Sequence, residues 1–417
     1  MIKPIKIGAL AVAGALTLAA CGGGDDAAGG AAGGEVLIVG TDLPLQGASA
    51  DASKSTNEVV ALVLEQAGGK AGDFTVEIKE YDDSTAAKGA WDDAACAKNA
   101  QDHVANTNQV AVMGTYNSGC AMIIIPVLNQ AGMLMVSHAN TYAGLTVEWD
   151  KGEPGIYYPA GTRNYARVIA HDGFQGKAAA QYMFNDLGHR TLALLDDTQA
   201  YGMGLADAVE AEFLALGGVV QRGSWDVKQV QGYKATFEKI KADGAEIVYF
   251  AGIFDNNGIT LIKDKTAVLG DNTVFPAMAP DGFSGYPDLR AMPEAEGLWM
   301  TFAGKSLDGI IKGGGKAAEF IQAYEAKYGY LPNSSYAVYG GLAMQVILKA
   351  IAASDGTRQG VLDAVFAGEP LCIDETESVT GTGFCLNQET GDMDTIFMVL
   401  QQMQGGTETD IRPIDVS

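Results

Sequence analysis

The sequence predicts an α/β protein of two lobes, each built around a parallel sheet, on three observations. Short β-rich runs alternate with longer amphipathic ones from Glu35 onward. The alternation occurs in two successive blocks, with Gly/Pro-rich stretches at 152–161 and 276–293 as boundary zones. The 417 residues are 47% hydrophobic and 19% charged, apolar material enough for more than one core. Strand and helix in regular turn imply βαβ units with helices on both faces of a sheet. Two such sets leave a ligand crevice at the carboxyl ends of the strands.

In the first block the apolar run 36–39 reads as a strand, 56–66 as a helix, 74–79 as a strand through the alternation Phe74, Val76, Ile78, and 88–106 as a helix. Residues 110–113, 121–130 and 133–137 continue as strand, helix, strand. The second block has helices over 176–187, 205–216 and 233–242 and strands over 191–195, 219–225 and 247–250. The last third is richer in helix, over 317–328, 336–353 and 358–367, and ends in an apolar strand at 396–400. The order of 403–417 is left open.

The first residues stand apart from the fold. Lys3 and Lys6 precede an apolar run at 7–18 that ends in Leu18-Ala19-Ala20-Cys21. This is the layout of an export leader, and the run is shorter than the roughly 20 residues a bilayer span needs. Leu-Ala-Ala-Cys is also similar to the lipobox of bacterial lipoproteins, which implies a signal peptide at 1–20 and lipidation at Cys21. Residues 21–34, almost wholly Gly, Ala and Asp, read as a flexible tether. Export puts the remaining cysteines, Cys96, Cys120, Cys372 and Cys385, in an oxidising compartment as structural disulfides. Three pairings are open, and we favour Cys96 with Cys120 and Cys372 with Cys385. Without CxxC spacing or a nearby histidine, neither a metal nor a redox centre is expected.

The 27 Lys and Arg against 51 Asp and Glu give a net charge of −24, which argues against nucleic acid as a partner. Catalytic templates fail as well. There is no G-x-S-x-G, Gly313-Gly314-Gly315-Lys316 lacks the rest of a P-loop, and Gly202-Met203-Gly204 lacks the third glycine of a dinucleotide fingerprint. His103, His138, His171 and His189 show no paired-ligand spacing and read as surface or packed residues. The acid pairs Asp82-Asp83, Asp92-Asp93 and Asp196-Asp197 read as solvated surface. No enzyme activity, cofactor or metal is expected.

Polar residues follow two strands of the first block, where α/β folds place ligands. These are Gly114-Thr115-Tyr116-Asn117-Ser118 and Ser137-His138-Ala139-Asn140-Thr141. Hydroxyls and free N–H groups at a helix start suit a carboxylate. By themselves, Ser118 and Thr141 read as ordinary N-caps before they read as ligand contacts.

Taken in order, these stretches resemble the leucine/isoleucine/valine-binding family of ABC-importer solute-binding lipoproteins, a branch of the type I periplasmic binding proteins. The resemblance runs over 35–402. It rests on Leu43-Pro44-Leu45-Gln46-Gly47, Glu80-Tyr81-Asp82-Asp83, the two loops just named, Arg167 ahead of Asp172-Gly173-Phe174-Gln175-Gly176, the Tyr201-Gly202 step, and Ala279-Pro280-Asp281-Gly282. It implies two Rossmann-like lobes joined by three crossover strands and closing on a hinge. Lobe one would be 35–166 with 304–392, and lobe two 167–303 with 393–417. It further implies that Ser118, Ala139 and Thr141 hold an amino-acid carboxylate, while Tyr201 and Asp281 from lobe two meet its ammonium. Tyr116 and Phe254 are candidates for the wall around the ligand side chain.

The chain departs from the family where specificity is set. Asp281 is one carbon shorter than the usual glutamate, Ile253-Phe254-Asp255 replaces a glycine-aromatic run, and His138 and Asn140 stand where small residues or proline are usual. The glycine-alanine-rich first helix is replaced by 53–65. The expected function is capture of a small amino acid, branched-chain or otherwise aliphatic, by an exported, lipid-anchored monomer that delivers it to an ABC permease. The alternative is a ligand sensor, or a binder of short amides, urea or aromatic acids.

Overall fold

The structure, a computed structural model, describes residues 36–226 and 231–415. The expected leader at 1–20, the lipid site at Cys21 and the tether at 21–34 lie outside the described residues.

Two sheets organise the chain. The first has the order Lys70–Ala71, Phe74–Asp82, Val36–Leu43, Gln109–Gly114, Leu134–Ser137, Tyr165–Arg167, and is parallel except at its two-residue edge strand. The second has the order Val219–Ser224, Thr191–Asp196, Ile247–Ala251, Ala277–Ala279, Trp299–Phe302, Met398–Gln404, Thr407–Ile414, with antiparallel pairing at the last two joints. Central strands such as Gln109–Gly114 and Ile247–Ala251 are buried along their whole length, which is why they read as unbroken apolar runs.

The chain passes between the sheets three times, after Arg167, after Phe302 and before Met398. The passages run side by side: Arg167 N–H donates to Gly391 O at 2.9 Å, and Ala170 N–H to Ala303 O at 3.4 Å. Gly391 has φ +83°, and a Cβ there would collide with the Tyr165 carbonyl. Only glycine lets the passages approach so closely.

Helix Ser335–Ala352 is apolar over most of its circumference because it is buried between the first sheet and helix Ala50–Gln66, leaving one stripe of Gln345, Lys349 and Ala352 toward solvent. It is long and apolar enough to cross a membrane, yet 83% of it is covered by protein. Gly340 and Gly341 make room for Thr56 and Val59 of the neighbouring helix.

Several elements differ from expectation, for local chemical reasons. The helix expected over 88–106 starts at Asp93, because Asp92 caps it by accepting the N–H groups of Ala94 (3.0 Å) and Ala95 (3.3 Å). The stretch before it pairs Ser84–Thr85 with Ala90–Trp91. The first helix begins at Ala50 rather than 56, its early turns disguised by Ser53, Ser55 and Thr56, which are polar but buried. Helix Gly258–Leu269 was not expected, and its buried face includes the charged residues Asp264 and Lys265 among the apolar ones. Both find partners: Asp264 accepts the Tyr233 N–H at 2.7 Å, and Lys265 donates to Asn272 Oδ1 at 2.8 Å. The zone at 276–293, expected to be irregular, contains the strand Ala277–Ala279 inside the second sheet. Past 396–400 the chain forms a hairpin that turns at Gly405 and Gly406. Of the acids read as solvated surface, Asp93 is exposed, but Asp83, Asp196 and Asp197 are buried. The last two end a strand and accept N–H groups of the next loop.

The structure joins Cys96 to Cys120, between helices Asp93–Ala105 and Ser118–Gln130, and Cys372 to Cys385. Asp83 lies beside the first pair, whose sulfurs are bonded to each other and offer no thiolate to a metal. The cysteines of the first bridge are 24 residues apart. Its removal in Cys96→Ala/Cys120→Ala is expected to cost about 3 kcal/mol, read as a lower urea midpoint. An unchanged midpoint would mean that the bridge constrains nothing.

Candidate functional site

A cleft lies between the lobes at the carboxyl ends of the strands, with a cavity of about 40 Å³. Trp91, Tyr116, Asn117, Ser118, Ala139, Thr141 and Tyr336 line it from one side, and Asp197, Gln199, Tyr201, Ile253, Asp281 and Gly282 from the other.

The first wall is rich in donors. Strand Gln109–Gly114 leads through 115–117 into the 13-residue helix Ser118–Gln130, whose N-cap, Asn117, makes no side-chain cap hydrogen bond. The N–H groups of Ser118 and Gly119, at the cleft, therefore lack a capping acceptor, and the positive end of the helix dipole lies there. Ser118 Oγ accepts the Tyr142 N–H at 3.3 Å, which leaves the hydroxyl proton free to donate.

The second loop is tied to the first. Ser137 Oγ donates to Thr115 O (3.1 Å) and accepts the N–H groups of Ala139 (3.2 Å) and Asn140 (2.9 Å). Asn140 Nδ2 donates to Thr115 O (2.9 Å) and Tyr116 O (3.1 Å). With its N–H engaged, Ala139 has only its carbonyl to offer. The Thr141 N–H has no hydrogen-bond partner among the described residues.

The opposite wall presents an acceptor. Asp281 follows strand Ala277–Ala279 and is 1% exposed. Tyr201 Oη donates to its Oδ1 at 2.7 Å, and Tyr336 Oη, from the other wall, donates to its Oδ2. Burial pushes the carboxyl up to about 6, while the hydroxyls of Tyr336 and Tyr201 pull it back down. Asp197, which burial also raises to about 6, fastens the neighbouring loops. It accepts the N–H groups of Gln199 (3.0 Å) and Ile253 (3.0 Å) and the side-chain amide of Asn256 (2.7 Å).

The structure brings Ser118, Ala139, Thr141, Tyr116, Tyr201 and Asp281 together at the cleft. Ser118 and Thr141 are not N-caps: Ser118 is the first residue inside its helix, and Thr141 lies in none. Phe254 stands away from the cleft. The chain turns at 254–257 and sends its ring into the second lobe's core, 5.8 Å from Phe283 and 5.0 Å from Tyr286, so that Ile253 lines the cleft instead. Trp91, Asp197 and Tyr336 are additions to the expected set. Tyr336 had a signal, a hydroxyl in the first turn of an aliphatic helix. Trp91 had none, since its segment read as helix. None of the four histidines lines the cleft; His103 is buried against Asp42 at 2.8 Å.

With donors on one wall, a carboxylate on the other and no nucleophile–base pair between them, the cleft can hold a small molecule that is anionic at one end and cationic at the other.

The family model for periplasmic binding proteins matches residues 38–405. A Leu/Ile/Val-binding protein homolog of Brucella melitensis is 27% identical over 371 residues, covering 86% of this chain and 88% of that protein. The crystal structure of a leucine-binding protein from Thermotoga maritima has the same fold, with a TM-score of 0.75 at 20% identity over 91% of this chain and 99% of that one. A solute-binding protein of an ABC transporter from R. palustris, in complex with benzoate, gives a TM-score of 0.72 at 19% identity, covering 91% and 96%.

Burial raises the Asp281 carboxyl, and the tyrosine hydroxyls oppose that rise. Tyr201→Phe removes one of them, and the carboxyl is expected to titrate above about 6 in a carbon-detected NMR titration, because a bond to the ionised form is lost. An unmoved or lower value would mean that this hydroxyl does not stabilise the carboxylate.

Proposed function

Because the chain belongs to the periplasmic binding protein family, we propose that it captures a small amino acid, branched-chain or otherwise aliphatic, between its lobes and delivers it to an ABC permease. The family implies export to the periplasmic or extracellular side. Lipid anchoring at Cys21 and a monomeric state complete the proposal, with lobe one at 35–166 and 304–392.

One observation carries the reading: the uncapped helix start with Ser118 and Thr141 faces the buried Asp281 across a narrow cleft. The carboxylate of an amino acid takes the donors, and its ammonium takes Asp281. Desolvation in the cleft strengthens both contacts. Trp91, Tyr116, Ile253 and Tyr336 surround the remaining space, so the side chain is small and apolar. The names of relatives that bind leucine, isoleucine and valine agree with this class.

A second reading, an aromatic acid, draws support from the aromatic walls and from the benzoate-bound relative. Asp281 separates the two, because a ligand with no cation leaves it buried without a counter-charge.

Calorimetric titration of the purified protein, unfolded and refolded to strip carried ligand, tests the proposal with L-leucine and then benzoate. Leucine is expected to bind. Asp281→Ala should weaken it roughly 30-fold or more, and Ser118→Ala about tenfold. Binding of benzoate alone, indifferent to Asp281→Ala, would overturn the ligand class. The pH dependence follows from the raised acidity constant of Asp281: the ammonium needs the ionised form, which is present above about 6 and lost below it. Affinity for leucine is expected to fall about tenfold per pH unit below that point, and Asp281→Asn should abolish the dependence. An affinity flat from pH 7 to pH 4.5 would contradict the assignment.

A further inference from the structure

Arg167 is fully buried, and its guanidinium gathers three segments. Nε donates to Asp392 Oδ1 at 2.6 Å, Nη1 to the carbonyls of Asn140 (3.1 Å) and Tyr142 (2.8 Å), and Nη2 to Thr146 Oγ1. Thr146 Oγ1 in turn lies 3.0 and 2.9 Å from the two oxygens of Asp392. Arg167 begins the first passage between the lobes and Asp392 lies in the third, where the Arg167 N–H is already bonded to Gly391 O at 2.9 Å.

The two carbonyls held by Arg167 bracket Thr141. In a planar trans peptide the N–H points opposite to the C=O. Turning the Asn140 carbonyl onto the guanidinium therefore turns the Thr141 N–H away from it. Thr141 lines the cleft, and its N–H is unpartnered among the described residues. A planar guanidinium can serve a carboxylate, two carbonyls and a hydroxyl at once, which a single ammonium cannot.

We propose that Arg167 is the positioning residue of the loop that receives the ligand carboxylate, and that its pairing with Asp392 ties the aim of that loop to the hinge. The inference rests on the reading of the cleft as an amino-acid site. Arg167 touches no ligand. It acts through the Asn140 and Tyr142 carbonyls, and any hinge motion that shifts Asp392 re-aims the Thr141 N–H.

Two variants separate this role from that of a buried ion pair. Arg167→Lys keeps the charge facing Asp392 but loses the fork, while Arg167→Met/Asp392→Met removes both charges and strands neither. The readouts are amide hydrogen exchange over 139–146 in the ligand-free protein and affinities for L-leucine and L-leucinol, which has no carboxylate. For Arg167→Lys the expected result is a melting temperature near that of the unmodified protein and exchange over 139–146 about tenfold faster. Its leucine binding should be about tenfold weaker and its leucinol binding unchanged, since only the carboxylate contact is lost. The proposal is overturned if the folded variants keep both the exchange rates and the leucine affinity of the unmodified protein within about twofold, or if leucinol weakens as much as leucine. Should the unmodified protein bind no leucine, the ligand class falls, while the exchange rates still decide whether Arg167 holds the loop.

Discussion

A carboxylate removed from water needs a cation or several donors, and the buried Asp281 takes the hydroxyls of Tyr336 and Tyr201, with the Gly282 backbone and Gln175 also acting on it. Tyr201 stands in the same lobe as Asp281 and Tyr336 in the other, so the acid proposed to meet a ligand cation also helps to fasten the lobes. The neutral form gains from burial, and the carboxyl rises to about 6. An ammonium between the walls reverses that balance, favouring the ionised acid and strengthening both tyrosine bonds. Ligand capture and lobe closure then draw on the same charge. Further bridges follow the same line across the cleft: Ser49 Oγ donates to Asp255 Oδ2 at 2.6 Å, and the Tyr142 ring packs where Gly204 has no side chain.

The donor wall works without a basic side chain. Among the described residues neither Lys nor Arg lines the cleft, and the donors it presents to an anion are N–H groups, hydroxyls and a helix dipole. Such a site favours a zwitterion over a simple acid, because the attraction to the donors is moderate and Asp281 opposes a net negative ligand. The Arg167 guanidinium does not line the cleft and is engaged by the Asn140 and Tyr142 carbonyls behind it. The surplus of acids over bases in the chain is therefore compatible with the proposed carboxylate subsite, since local dipoles outweigh a distant net charge.

Much of the architecture was legible in the sequence because buried parallel strands leave unbroken apolar runs, as at Val110 to Met113 and Ile247 to Phe250. The elements that escaped notice carry polar groups satisfied inside the protein. Lys265 and Asp264 hide a helix in this way, Ser53 and Thr56 the start of another, and Asp197 a buried scaffold acid that looks like surface. At the cleft, the loops holding Ser118 and Thr141 were readable because they follow apolar strand runs, whereas Asp281 was reached only through the family resemblance, since its strand Ala277–Ala279 lies in a zone that read as irregular. Trp91, Ile253 and Tyr336 arrive through hairpin, turn and helix geometry, and no sequence period encodes where such side chains point. Phe254 shows the limit: one residue of turn separates the cleft wall from the core.

If one small zwitterion spans both walls, a crystal structure of the protein grown with L-leucine will show it. The leucine carboxylate is expected within hydrogen-bond distance of Ser118 Oγ and the Thr141 N–H, and the ammonium against Asp281, with both tyrosine hydroxyls still on that acid. Leucine bound in the reverse sense, or in the cleft with Asp281 untouched, would contradict it.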